Sequence, residues 1–279
     1  MIAQDRGRLE EAEDWCHQSL TIHENLGDRP GIAGNYHELG VIAQLRGQLE
    51  HAENWYRQSL TIHENLGNRP GIAIACHQLG VIAQLRGQLE HAENWYRQSL
   101  TISEDLNHHD NMAGTYHHLG VNSQLRGQLD EAEDWCHRSL TINENLGNRP
   151  GMAISYHQLG AIAQDRGRLE EAEDWYRQSL TIKEDLNNRP GMASSYRQLG
   201  LLAEERGDTA QAQTWMVRSV SLFEETPHPS MGSALRHLTR LTAQLGMPSL
   251  EETWQAVTGH PLPAAVREFA LANQDSTSD

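Results

Sequence analysis

Positive charge is scarce in this chain: 22 basic side chains stand against 38 acidic ones, a formal net charge of −16. That balance opposes the field a phosphate backbone or an anionic membrane attracts, so nucleic acid and membrane are poor partners. Lys183 is the only lysine. Long apolar runs are missing as well. Nowhere do about 18 consecutive apolar residues occur, and the start MIAQDRGRLEEAEDW has no apolar leader segment, so neither a membrane span nor secretion is supported and a cytoplasmic setting is the expectation. Cysteine is rare, and three thiols cannot all pair. Cys16 and Cys136 occupy the slot that is Tyr56, Tyr96 and Tyr176 elsewhere, and Cys76 replaces Tyr36. They read as buried thiols in aromatic positions, with no disulfide framework and no zinc site. No G-x-x-x-x-G-K-[ST] loop, G-x-S-x-G elbow or H-E-x-x-H helix occurs. With no catalytic constellation visible, the expectation is a protein without catalysis of its own, metal or cofactor.

What the chain does have is itself, several times over. VIAQLRGQLEHAENWYRQSLTI runs from 41 to 62 and again, letter for letter, from 81 to 102, a period of 40 residues. Trp15, Trp55, Trp95, Trp135, Trp175, Trp215 and Trp254 keep that beat to within one residue. A repeat of this length buries its apolar face only against its neighbours, which makes a solenoid with no single core to divide. The beat gives a truncated first unit at 1–30 and units at 31–70, 71–110, 111–150, 151–190 and 191–228. A degenerate closing unit at 229–260, a C-terminal helix at 261–274 and a disordered tail at 275–279 complete it. Within the closing unit, Ser249 with Glu252 has the spacing of a capping box.

One unit shows how the period folds. Ala33, Tyr36, Leu39, Gly40 and Ala43 recur at three- and four-residue spacing, a helical stripe that Arg46 and Gly47 end. Leu49, Ala52, Tyr56, Leu60, His63 and Leu66 form a second stripe, stopped by Gly67. Asn68 is placed to cap the next helix, and Pro70 sits in its first turn, where no N–H is needed. Each unit is therefore a helix A and a helix B joined by a tight turn.

Leu39-Gly40, Gly47, Ala52 and Tyr56, repeated as Leu79-Gly80, Gly87, Ala92 and Tyr96 and as Leu159-Gly160, Gly167, Ala172 and Tyr176, resemble the tetratricopeptide repeat. Two departures stand out: the spacing is 40 residues, longer than the family's usual one, and Ser59, Ser99, Ser139 and Ser179 replace its late helix B alanine. The longer spacing resembles kinesin light chains, spindle-orientation scaffolds and bacterial regulators. The resemblance implies an all-α, right-handed solenoid, a superhelix of antiparallel helix pairs, that binds a protein or peptide in its concave groove. The alternatives are the peptide-sensing or autoregulatory region of a larger bacterial regulator, and a self-assembling repeat module.

By the same resemblance helix A lines the groove. Its guest-facing ladders are His37, His77, His117, His157 and Arg197, then Val41, Val81 and Val121, then Gln44, Gln84, Gln124 and Gln164, and then Leu45, Leu85 and Leu125. Asp165 and Glu205 turn the later units acidic. If the histidines touch a guest, affinity should change near pH 6.5, the unperturbed imidazole value. Equally, they hydrogen-bond neighbouring helices and recur because the whole unit was duplicated. One imidazole per unit is too widely spaced for chelation, since packed helices lie about 8 to 10 Å apart. The third unit differs, with His108-His109-Asp110-Asn111 at its start, His117-His118, and polar Asn122 and Ser123 in apolar positions. A drifted, less stable repeat is the preferred reading there, and a ligand site the alternative. The helix B glutamates and Arg46, Arg86, Arg126, Arg166 and Arg206 read as a solvated, charge-balanced outer face, and each tryptophan as packing. Finally, Ile2–Trp15 repeats Ile162–Trp175 without a change. The chain thus starts inside a helix A and leaves a helix B whose stripe Leu9, Ala12, Cys16 and Leu20 is expected to be exposed, a candidate for homo-oligomer contact.

Overall fold

The computed structural model describes residues 2–223 and 231–272; the expected tail at 275–279 and the junction expected at 228/229 lie outside the described residues. Among the described residues all regular structure is helical, in 14 helices without a strand. They are grouped in two compact units, residues 1–143 and 144–279.

The first unit holds α1 (Ile2–Leu26), α2 (Arg29–Leu45), α3 (Leu49–Leu66), α4 (Arg69–Leu85), α5 (Leu89–Asp105), α6 (His109–Leu125) and most of α7 (Leu129–Leu146). Even-numbered helices are helix A of successive repeats, and odd-numbered ones are helix B. In the second unit α8 (Arg149–Asp165), α9 (Leu169–Asp185), α10 (Arg189–Glu205) and α11 (Thr209–Phe223) continue the alternation. They are followed by α12 (Met231–Leu245), α13 (Met247–Thr258) and α14 (Ala264–Ala272).

The turn chemistry is the one the sequence dictates. Gly47 and Gly67 take φ of 73° and 63°, the left-handed conformation that costs glycine least. Asn107 and Asn187 fill the same slot as Gly67 with φ of 52° and 49°, the non-glycine residues best suited to it. The Asn68 side chain accepts from the Gly71 N–H at 3.2 Å, and Asn148 and Asn188 do the same for Gly151 and Gly191. His108 stands in that position before α6 and makes no side-chain cap bond.

Inside each hairpin, helix A is pressed against the ring of its own helix B. A Cβ on Gly40 would lie 2.5 Å from Tyr56, and one on Gly80 2.5 Å from Tyr96, so the Leu-Gly pair is a steric requirement of the tyrosine. Where Cys136 replaces tyrosine, a Cβ on Gly120 would meet its Sγ at 2.5 Å. The serines in the family's alanine slot also have a role. Ser59 Oγ donates to the Ala33 carbonyl at 2.9 Å, and Ser139, Ser179 and Ser219 donate to Ala113, Ala153 and Ala193. Each buried hydroxyl thus ties helix B to helix A of its own repeat. Tyr36 stacks on Trp55 with ring centroids 5.3 Å apart, and the pairs Tyr116–Trp135, Tyr156–Trp175 and Tyr196–Trp215 follow suit.

Four expectations change. The arginines that end helix A are not merely solvated: Arg86 reaches Glu53 of the preceding helix B at 2.5 Å, and Arg46–Glu13, Arg126–Glu93 and Arg206–Glu173 repeat the pair. Residues 2–15 do not form the end of a helix A, a turn and a helix B, because α1 runs unbroken through Gly7. The same letters at 162–175 do turn, Gly167 having φ of 71°, since there α8 lies back along α9. Nor is the α1 stripe fully exposed: Leu20 is buried, and Leu9, Ala12 and Cys16 are half-buried. Among the described residues the large exposed apolar side chains of α1 are Trp15, Ile22 and Leu26. Lastly, the Ser249–Glu252 capping box does not form. Pro248 lets α13 start at Met247, three residues early, and Ser249 Oγ donates instead to Gln213 of α11 at 2.9 Å.

Candidate functional site

In the first unit the ladder positions of α2, α4 and α6 form a recurring constellation. The His37 ring lies against Tyr56 at 5.5 Å, and the Tyr56 hydroxyl donates to Gln44 Oε1 at 3.1 Å. His77, Tyr96 and Gln84 repeat it at 5.7 and 2.7 Å. With its oxygen taken by the tyrosine, each glutamine is fixed with its amide nitrogen as the group left to donate. Val41, Val81, Val121 and Gln124 are half-buried alongside. One position beyond the glutamines, Leu45, Leu85 and Leu125 stand 67%, 56% and 59% exposed. The described first unit thus carries leucines in solvent beside oriented amides.

In the second unit His157, Tyr176 and Gln164 keep the pattern at 5.3 and 3.1 Å, but Gln164 Nε2 is drawn to Glu205 at 2.8 Å. Arg197 is half-buried, and its Nε is buried without a hydrogen bond. Asp165 and Glu205 replace the exposed leucines, so this unit offers carboxylates where the first offers apolar side chains.

Where the third repeat departs from its sisters, the structure gathers rather than scatters. His118 stacks on Tyr96 at 5.5 Å, stands 4.9 Å from His77 and 5.3 Å from His117, and His77 Nδ1 lies 3.2 Å from the Thr115 hydroxyl. Histidines of successive repeats therefore do meet, against the spacing argument, because His118 adds a second imidazole on the neighbouring helix. They do not make a metal centre: among the described residues no group of three or more His, Cys, Asp or Glu could hold an ion. His117 and His118 each bury an Nδ1 without a partner. Burial pushes His77 and His117 down to about 4 and His118 to about 3, with repulsion from neighbouring rings adding to the shift of His77 and His118. Burial also lowers His37. At His77 and His117 a pH effect would accordingly fall near 4, below the 6.5 of an unperturbed imidazole.

Beside the cluster lies a cavity of about 310 Å³ between α4 and α6, lined by Ile74, His77, Gln78, Asp110, Asn111, Gly114 and Thr115 among others. A Cβ on Gly114 would meet nothing within 4 Å, so no neighbour demands glycine there; of the sister positions two hold Ile74 and Ile154 and two the small Gly34 and Ser194. The gap over Gly114, with Ile74 42% exposed beside it, is a notch that sequence reasoning missed, although glycine in mid-helix opposite isoleucine was its signal.

Two other places carry reactive groups without a site. Lys183 is buried, its Nζ 2.9 Å from Ser195 Oγ, and burial lowers it to about 8. That is the composition of a nucleophile and its base, yet Ser195 is fully buried and no substrate reaches it. Burial raises Cys76 to about 11 and Cys136 to about 12, which keeps both as protonated packing groups.

Stacked helical hairpins displaying laddered side chains define an all-α repeat protein of the interaction-module class. Models of the tetratricopeptide repeat match residues 1–65, 33–105, 111–185 and 193–218, and the chain belongs to the tetratricopeptide repeat family. Its fold is the all-α solenoid of that family. No curated protein matches it in sequence. Among solved structures it resembles BtubC (BKLC) from P. vanneervenii, with a TM-score of 0.65 at 19% identity over 80% of this chain and 91% of that one. It also resembles a signal transduction ATPase with a tetratricopeptide repeat sensor from Pyrococcus horikoshii (TM-score 0.71, 16% identity, 94% of this chain, 41% of that one). The apo form of RapI is a third likeness (TM-score 0.70, 13% identity, 98% and 96%). At these identities the likeness is one of fold. No catalytic family is indicated, and no described helix is long and apolar enough to cross a membrane.

Proposed function

We propose that the chain is a non-catalytic scaffold that binds a peptide or helical segment of another protein along α2, α4 and α6 of its first unit. The observation that carries this reading is the row of exposed Leu45, Leu85 and Leu125 beside Gln44 and Gln84, whose amides are held by Tyr56 and Tyr96. Apolar side chains of a guest cover the leucines, and its backbone carbonyls accept from the amide nitrogens. An apolar guest residue enters the notch over Gly114 and rests on Ile74. Asp110 at its rim and the overall charge of −16 favour a basic neighbour. The sensing region of a regulator is the second reading, supported by the fold shared with the sensor repeats of the Pyrococcus horikoshii ATPase.

The test is selection of a random peptide library displayed on phage against the immobilised chain. Selected peptides should contain apolar and basic residues, and their affinity should fall about tenfold or more with Leu85→Glu and with Gly114→Leu, which fills the notch. Peptides whose binding is indifferent to both substitutions, or no enrichment at all, would refute the assignment.

A further inference from the structure

Among the described residues α3, α5 and α9 are each covered on one side by their own helix A and on the other by the next. The structure gives α1 only the second of these. Trp15 is 62% exposed, Ile22 58% and Leu26 74%, whereas the corresponding Trp175 is half-buried and Ile182 is buried. What should cover that face can be read from the chain, because residues 9–15 of α1 are identical to residues 169–175 of α9. On α9 the covering element is α8: Tyr156 stacks on Trp175 at 5.6 Å, and Ser179 Oγ donates to the Ala153 carbonyl at 2.7 Å. Trp15 and Ser19 are the matching groups of α1. Cys16 stands where α7 has Cys136, and that thiol requires a glycine opposite, as Gly120 shows.

We propose that the face of α1 left without a helix A among the described residues is a docking surface for a helix of the helix A class with the side-chain pattern of residues 149–165 of this chain. Its required features are a tyrosine to stack on Trp15, a small residue three positions earlier to present its carbonyl to Ser19, and a glycine four positions after the tyrosine to sit over Cys16. Residues 149–165 of this chain meet all three, in Ala153, Tyr156 and Gly160. The apolar residues buried on docking are Trp15 and Ile22, with Leu26 at the rim. This surface shares no residue with the face formed by α2, α4 and α6, so either proposal can fail without the other.

The experiment titrates a fluorescein-labelled synthetic peptide of residues 149–165 with the full chain and reads anisotropy. Saturable one-to-one binding is expected, weakened about tenfold or more by Ile22→Glu in the chain or Gly160→Leu in the peptide, and unchanged by Leu85→Glu. Ile22 is in solvent, so Ile22→Glu leaves the fold intact, which its circular dichroism melt checks. Absence of binding to the unmutated chain overturns the proposal. So does binding that Ile22→Glu or Gly160→Leu leaves unaltered, or a scrambled peptide that binds equally well. A homodimer that Ile22→Glu dissolves and the peptide does not would make a second copy, not a helix A segment, the occupant.

Discussion

Lowering the pH from 7.5 to 5 should destabilise the first unit well before its carboxylates titrate. His77, His117 and His118 are held neutral in the fold, at about 4, 4 and 3, mainly by burial. In the unfolded chain each takes its proton near 6.5. The unfolded state therefore binds more protons below that point, and the stability contributed by the neutral rings is complete above pH 6.5 and drains away between 6.5 and about 4. A ring with these two values loses about 2 kcal/mol by pH 5, so three approach about 6 kcal/mol, a large share of a domain's usual margin of about 5 to 15 kcal/mol. Repulsion from His77, whose ring centroid is 4.9 Å away, is part of what holds His118 so low. The assay is urea denaturation at both pH values followed by tryptophan fluorescence. His118→Gln, which restores the residue found at Gln78, Gln158 and Gln198, should remove about a third of the acid loss while leaving stability at pH 7.5 intact. Equal urea midpoints at pH 7.5 and 5, or a His118→Gln chain with the full acid dependence, would refute the reasoning.

Two further substitutions test the account of the third repeat as a set of drifted positions. His108→Asn should restore the side-chain cap that Asn68, Asn148 and Asn188 make, raising stability by about 1 kcal/mol in urea melts at neutral pH; no gain would mean the start of α6 is limited by something other than its missing cap. Asn122→Ile returns the residue of Ile42, Ile82 and Ile162. It loses one bond from Nδ2 to the Leu89 carbonyl, removes a buried Oδ1 that has no partner, and buries a larger apolar group, so a net gain of about 2 kcal/mol is expected and a loss would show that the polar pair is needed.

The parts of this molecule that were legible in its sequence are those in which a residue acts on its own backbone or on a partner one helical turn away. Gly67 and Asn68 announce a helix end and a cap because their chemistry is local, and both positions behave accordingly. Leu39, Gly40 and Tyr56 announce a hairpin because the family pattern records a contact between them. The illegible parts depend on a neighbour that periodicity does not name. The inner-face meaning of Ser59 required knowing that the Ala33 carbonyl lies 2.9 Å away, and Arg86 looked solvated until Glu53 of the previous repeat was placed beside it. His118 looked like drift, yet its packing on Tyr96 and His77 is what turns a widely spaced ladder into a cluster.

The sharpest case is IAQDRGRLEEAEDW, whose 14 letters make an unbroken helix at 2–15 and a helix end, turn and new helix at 162–175. Helix propensity is identical in the two places, so it cannot decide between them. Gly167 leaves the helix because turning there lets α8 lie along α9, which covers Trp175 with Tyr156 and satisfies Ser179 from Ala153. At Gly7 no such helix lies on α1 among the described residues, and the backbone keeps its own hydrogen bonds instead of turning. The turn in this family is thus a consequence of hairpin packing as much as of glycine. It follows that the bare side of α1 and the missing turn have one cause, the absence of a covering helix A among the described residues.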